Sequence, residues 1–160
     1  MKEIEKITAP SEGGLPFVII DAPNVIFHLS TVSVERLRRI VSLLEELGIA
    51  SVAIVDANTK YPVMAHSRAN GTRDFDLLNE LIAKQLVLEA PAGTFADWWM
   101  LQFASLHPNV KILTNDTFAE WKKEFPAIFE QDRFIRFMEI NGELIMDLDG
   151  CSSKKKRSEV

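Results

Sequence analysis

A chain of 160 residues, 47% hydrophobic and 26% charged, has the length and balance of one globular domain with a core of its own. A single cysteine, Cys151, excludes an internal disulfide and any zinc site built from several thiolates. The net charge is −5, and Lys154, Lys155, Lys156 and Arg157 are gathered in the last ten residues, so the remainder is more acidic still. That balance disfavours a module that coats nucleic acid by neutralising phosphates, but not one whose carboxylates hold cations.

Met1 to Thr8 lacks the apolar stretch of a secretory signal, and no apolar run is long enough to span a bilayer. A cytoplasmic protein with no membrane segment is therefore expected. Residues 1–14 read as a flexible leader, 15–150 as the folded domain and 151–160 as a basic, disordered tail. Phe17-Val18-Ile19-Ile20 is a short continuous apolar run, the mark of a strand buried on both faces, and Asp21 stands at its end. From Val34 the period becomes helical, through Leu37, Ile40, Val41, Leu44 and Leu47, with Ser33 placed to cap and Gly48 to stop.

Ser51 to Val55 is a second buried strand, again ending in an acid, Asp56. Asn58 to Asp74 carries Pro62 and Gly71 among Lys60, His66, Arg68 and Arg73, and is predicted to be a long, locally basic loop. Phe75 to Ile82 has helical spacing, Leu86-Val87-Leu88 is a short strand, and Trp98 to Leu106 is a helix that is apolar round much of its circumference. Val110 to Leu113 is a fourth strand, followed by Thr114-Asn115-Asp116. A helix is expected near Phe118 to Phe125, then two strand-like runs, Phe134 to Ile140 and Glu143 to Met146, joined by the hairpin signal Asn141-Gly142.

Strand alternating with helix predicts an α/β layer fold with a mostly parallel sheet and a C-terminal antiparallel hairpin at one edge. In such sheets ligands bind beyond the carboxyl ends of the strands, where the topology changes direction. Asp21, Asp116 and Asp97, the last at the head of the third long helix, are all expected there. Three carboxylates brought together repel unless a cation lies among them, and hard oxygen donors suit Mg²⁺ or Mn²⁺. The chemistry this implies is metal-assisted hydrolysis of a phosphodiester.

Each acid also has a plain structural reading. Asp97 follows Thr94 at capping-box spacing, Asp116 precedes a second such box at Thr117 and Glu120, and Asp21 before Pro23 suits a turn. Asp56 and Asp74 read as a loop acid and a helix cap. The histidines have no zinc spacing, Cys151 has no activating neighbour, and no glycine-rich phosphate loop is present. Trp98, Trp99 and Trp121 read as core or interface residues.

Val18-Ile19-Ile20-Asp21-Ala22-Pro23-Asn24-Val25 resembles the first-strand motif of NYN-domain ribonucleases within the PIN-like superfamily, and Ile112 to Phe118 resembles their later Ser-Asn-Asp motif. Trp121-Lys122-Lys123 and the strand pair after it resemble the Regnase (MCPIP) branch. The resemblance implies a PIN-like α/β/α fold and a Mg²⁺- or Mn²⁺-dependent endoribonuclease cutting single-stranded RNA. It implies Asp21, Asp97 and Asp116 as metal ligands and catalytic acids, with Asn24 as a polar companion orienting a water or a phosphate. Lys60, Arg68 and Arg73 are expected to contact the RNA backbone. Ala22-Pro23 departs from the family's Gly-Ser, and Ala96 stands where the family often has a second acid. A non-catalytic module binding RNA or a protein therefore stays open, as does a homodimer or a regulatory partner. So does a different α/β protein, such as a phosphohydrolase or a receiver-like regulator.

Overall fold

The computed structural model describes residues 16–148; the expected leader and basic tail lie outside them. Five strands, β1 (Phe17–Asp21), β2 (Ser51–Val55), β3 (Val87–Glu89), β4 (Val110–Leu113) and β5 (Phe134–Ile135), form one parallel sheet in the order β3-β2-β1-β4-β5. β6 (Phe137–Ile140) and β7 (Glu143–Met146) pair antiparallel as a small sheet of their own, directly after β5 in the chain. Asn141 and Gly142 both take positive φ, 49° and 81°, as a two-residue hairpin turn requires.

Period-two alternation along β1 and β2 explains why their sequences are apolar throughout. Val18, Ile20, Ala53 and Val55 face one layer, which holds Leu37, Ile40 and Leu44 of α2 (Val34–Glu46) and Leu78 of α4 (Asp74–Ala83). Ile19, Val52 and Ile54 face the other, against Met100, Leu101 and Ala104 of α5 (Ala96–Leu106) and Ile128 of the short α6 (Pro126–Glu130). The result is the α/β/α layering expected from the sequence, with both sheet faces dry.

Several elements differ from expectation, among them the run Phe134 to Ile140, which is divided at Arg136 between β5 of the parallel sheet and β6 of the hairpin. The stretch read as a loop contains a helix, α3 (Lys60–Asn70). Pro62 falls in its first turn, where no intrahelical acceptor is lost, and Gly71 closes it in the left-handed region at φ 65°. Only Val63 and Ser67 of α3 are buried, so there is no apolar stripe to announce it. The helix expected over Phe118 to Phe125 is instead a 3-10 turn at Ala119–Trp121. Phe118 precedes it at φ 49°, which breaks a helical run, and Pro126 restarts the chain as the first residue of α6.

A buried cation ties the segment after β1 to the hairpin. Arg36 is 4% exposed, and its Nη1 donates to the carbonyls of Val25 at 2.9 Å, Ile26 at 3.3 Å and Thr31 at 3.1 Å. Val25 and Ile26 belong to α1 (Ala22–Ile26), the short helix that follows β1. Arg36 Nε pairs with Glu139 of β6 at 3.1 Å, and Arg39 holds the other Glu139 oxygen at 3.1 Å. The hairpin is thereby fastened to the helix layer. Arg36→Met keeps much of the volume but strands three carbonyls and leaves Glu139 with Arg39 alone, so a loss of about 1 to 3 kcal/mol is expected in urea unfolding. A midpoint equal to wild type would refute that role.

Candidate active site

The sheet order places the change of direction between β1 and β4, since β2 and β3 continue from one side of β1 and β5 from the far side of β4. Asp21 is the last residue of β1 and only 5% exposed. Its Oδ2 accepts from the Thr114 hydroxyl at 2.7 Å and its Oδ1 from the Asn24 N–H at 3.5 Å, so that Asp21 also caps α1. Thr114, immediately after β4, is fully buried, and its oxygen accepts in turn from the Asp116 N–H at 3.0 Å. A carboxylate and a hydroxyl thus lock the two motifs across the switch point.

The same crossing is bridged a second time. Asn24 Oδ1 accepts from the Asn115 N–H at 2.8 Å, while the Asn115 side chain pairs with both backbone groups of Phe137, at 2.8 and 3.0 Å. Arg136 Nη1 donates to the carbonyls of Thr114 at 2.8 Å and Asp116 at 2.7 Å. Asn24, expected to orient a water or a phosphate, has its carbonyl oxygen committed to holding the loop after β4.

Asp116 is exposed, and its Oδ1 accepts from the Phe118 N–H at 2.8 Å. Asp97, the second residue of α5, is half-buried and accepts from the Trp121 indole at 3.4 Å. Neither capping box forms. The Thr94 hydroxyl turns instead to the Pro91 carbonyl and the Trp99 indole, and the turn after Asp116 is not an α-helix. Asp56 and Asp74 do cap, but at a distance along the chain. Asp56 Oδ1 holds the Ala96 N–H of α5 and Asp74 Oδ1 the Val34 N–H of α2, each at 2.8 Å.

The electrostatics join what the sequence had set apart. Burial pushes the Asp21 carboxyl up to about 7, against the lowering effect of Thr114 and Asn24 and with the charges of Asp97 and Asp116 adding to it. Burial likewise carries Asp97 up to about 6, opposed by the Trp121 bond and assisted by Asp116, Asp56 and Glu120. The three acids expected at this edge therefore feel one another, and two more join them. Thr114, Glu120 and the Trp121 indole are the members that sequence reasoning missed, and Asp56 it ranked as a weaker candidate. For Asp56 the signal was present, since it ends β2 as Asp21 ends β1.

All the donors are hard carboxylate oxygens, the chemistry Mg²⁺ and Mn²⁺ prefer. Among the described residues, however, no three acids or other ligating side chains stand close enough to hold an ion jointly. Each of the three expected ligands, Asp21, Asp97 and Asp116, is turned to a hydrogen-bond donor of its own. The donor set fits an ion carried by one or two carboxylates and its retained waters, not a closed cage.

The expected RNA-contacting cations have different surroundings. Lys60 Nζ lies 5.5 Å from the centre of the Tyr61 ring, Arg73 reaches Asp76 at 3.9 Å and Glu80 at 3.8 Å, and Arg68 is exposed on α3. None makes an ion pair with the site acids among the described residues. No helix among these residues is long and apolar enough to cross a membrane.

A family model described as the Zc3h12a-like Ribonuclease NYN domain matches residues 14–159. Among solved structures, the chain is similar to nuclear proteinaceous RNase P 2 (PRORP2) of Arabidopsis thaliana. In one crystal structure the TM-score is 0.62 at 17% identity, covering 81% of this chain and 29% of that one. In another structure of that protein it is 0.67 at 16% identity, covering 91% and 31%. The chain thus spans about three-tenths of that protein's length, and the likeness is one of fold. A looser likeness, with a TM-score of 0.41 at 16% identity, is to the PIN domain endonuclease Utp24, covering 82% of this chain and 90% of that one. No curated protein sequence matches the chain significantly.

The raised carboxyls fix the sign of a pH dependence. In the unfolded chain Asp21 titrates near 3.8, and in the folded one near 7, so between those values the folded state holds the extra proton. Without divalent ions, stability is therefore greatest below that window and falls as pH rises through it, with Asp97 adding in the same direction up to about 6. Urea midpoints taken in chelator from about pH 5 to about pH 8 are expected to fall, and Asp21→Asn to flatten the slope. A wild-type midpoint that climbs over this range would contradict the assignment.

Proposed function

Since this chain belongs to the Zc3h12a-like ribonuclease NYN domain family, we propose that it is a divalent-metal-dependent endoribonuclease hydrolysing phosphodiester bonds of single-stranded RNA. The observation that carries the reading is the buried Asp21 carboxyl at the switch point, pushed up to about 7 within reach of the charges of Asp97 and Asp116. A site that concentrates this much unneutralised acid repels RNA by itself and attracts a hard cation. Mg²⁺ or Mn²⁺ bound there supplies neutralisation of the phosphate oxygens and a more acidic water.

The chain's own residues do the rest. Asp21 is the fixed element, its orientation set by Thr114 and Asn24. Asp116, exposed on the far side of Thr114, meets the incoming backbone, and the Trp121 indole keeps Asp97 turned toward the same notch. A small acidic notch admits an unpaired strand, whose backbone can bend, more readily than a duplex. Asn24 acts here as a positioning residue, through Asn115.

A second reading, a non-catalytic RNA- or protein-binding module, is favoured by Ala96 and by the lack, among the described residues, of any three acids close enough to share an ion. Labelled single-stranded RNA incubated with Mn²⁺ separates the two. The enzyme reading expects cleavage that chelator abolishes and that Asp116→Asn lowers ~100-fold with binding retained. It also expects millimolar Mn²⁺ to raise the melting temperature of wild type more than that of Asp116→Asn. Tight binding with no cleavage under any divalent ion would establish the module instead.

A further inference from the structure

Beside the acids, at the carboxyl edge of β2 and β3, lies a cavity of about 570 Å³. Asp56 and Asn58 from the turn after β2, Tyr61 from α3, and Gly93, Thr94 and Phe95 from the turn before α5 line it. The volume lies in the range of pockets that accept a small organic ring. Two aromatic side chains of this lining are open to solvent, Phe95 at 69% and Tyr61 at 56%. Rings that large are ordinarily covered, and here neither is drawn into the core.

The lining is also braced. Phe95 meets Trp121 edge-on with ring centres 6.2 Å apart, and Trp121 is the residue that donates to Asp97. One ring therefore separates the cavity from the acidic notch. The bond from the Ala96 N–H to Asp56 ties the two turns together and sets a carboxylate at the cavity, while its charge also reaches Asp97. Gly93, at φ 81°, shapes its turn with nothing near the place a side chain would occupy. Lys60, an expected RNA-contacting cation, holds its ammonium over the Tyr61 ring, 5.5 Å from its centre.

We propose that this cavity is a nucleobase subsite. An unstacked base of single-stranded RNA, close in the strand to the phosphate held at the acids, stacks on Phe95 and Tyr61. Asp56 and Asn58 accept from its exocyclic amino group, which favours cytosine, adenine or guanine over uracil. Aromatic faces take any base, acceptors choose among them, and a single strand is the form of RNA that offers an unstacked base. The assignment of RNA to the cavity rests on the ribonuclease reading of the neighbouring acids.

The test uses the full chain and an oligoribonucleotide carrying one 2-aminopurine, whose fluorescence is quenched by stacking, with Ca²⁺ replacing Mn²⁺ to suppress turnover. Wild type is expected to quench the probe, and Phe95→Ala or Tyr61→Ala to weaken the apparent affinity on the order of tenfold. Phe95→Leu, which keeps an apolar contact with Trp121, is expected to lose quenching while melting like wild type. Oligocytidylate is expected to compete better than oligouridylate, and equal competition would overturn the choice of an amino-bearing base. Variants that quench like wild type, or a wild type that cuts RNA yet leaves the probe bright, would overturn the subsite and leave the nuclease reading standing. Quenching by a protein that cuts no RNA would do the reverse.

Discussion

A carboxylate at the end of the central strand, shut off from water, is the constraint around which this domain is arranged. Left alone, such a group would be costly to bury. The Thr114 hydroxyl meets it at 2.7 Å and passes its own acceptor capacity to the Asp116 backbone, so one side chain satisfies the strand end and shapes the next loop. Asn24 and Asn115 repeat the crossing a few residues away and extend it to Phe137 at the start of the hairpin. Arg36 and Glu139 anchor that hairpin from the other side. The residues that set the acids in place are thus also those that hold the outlying elements to the sheet.

Much of this was legible in the sequence because burial on both faces leaves a plain trace. The apolar runs at Phe17, Ser51 and Val110 sit on strands, and the acids that end them arrive together because parallel strands all end at one edge. α2 was legible from its periodic Leu and Ile residues. α3 was not, because a helix that buries only Val63 and Ser67 carries almost no period, and its Pro and Gly resemble loop punctuation. The turn after Asp116 misled in the other direction. Its capping-box pattern is real as sequence, but a positive φ at Phe118 ends any helix before it begins.

The site was legible in part and for the same reason. Topology predicts Asp21, Asp97 and Asp116 at one edge, and their mutual influence is a matter of charge at moderate range. Coordination is a matter of closer spacing, and no pattern of residue types fixes it. Thr114 was invisible because a threonine after a strand is unremarkable until its partner 93 residues earlier is known. Asp56 reads from the sequence as a weaker candidate, a loop acid, although it is at once the cap of α5 and a neighbour of Asp97. Membership of a ribonuclease family fits this arrangement of charge, with Ala96 as the local departure whose N–H Asp56 accepts.

The strand order has a temporal side. β1 lies between β2 and β4, so the first strand of the sheet to be synthesised waits for the fourth before its second edge is covered. On a ribosome, Asp21 emerges long before Thr114, and for that interval its carboxylate stays hydrated and ordinary in acidity. The unusual electrostatics of the notch come into being only when the last third of the domain closes over it, which makes assembly of the site a late event in the life of each nascent polypeptide.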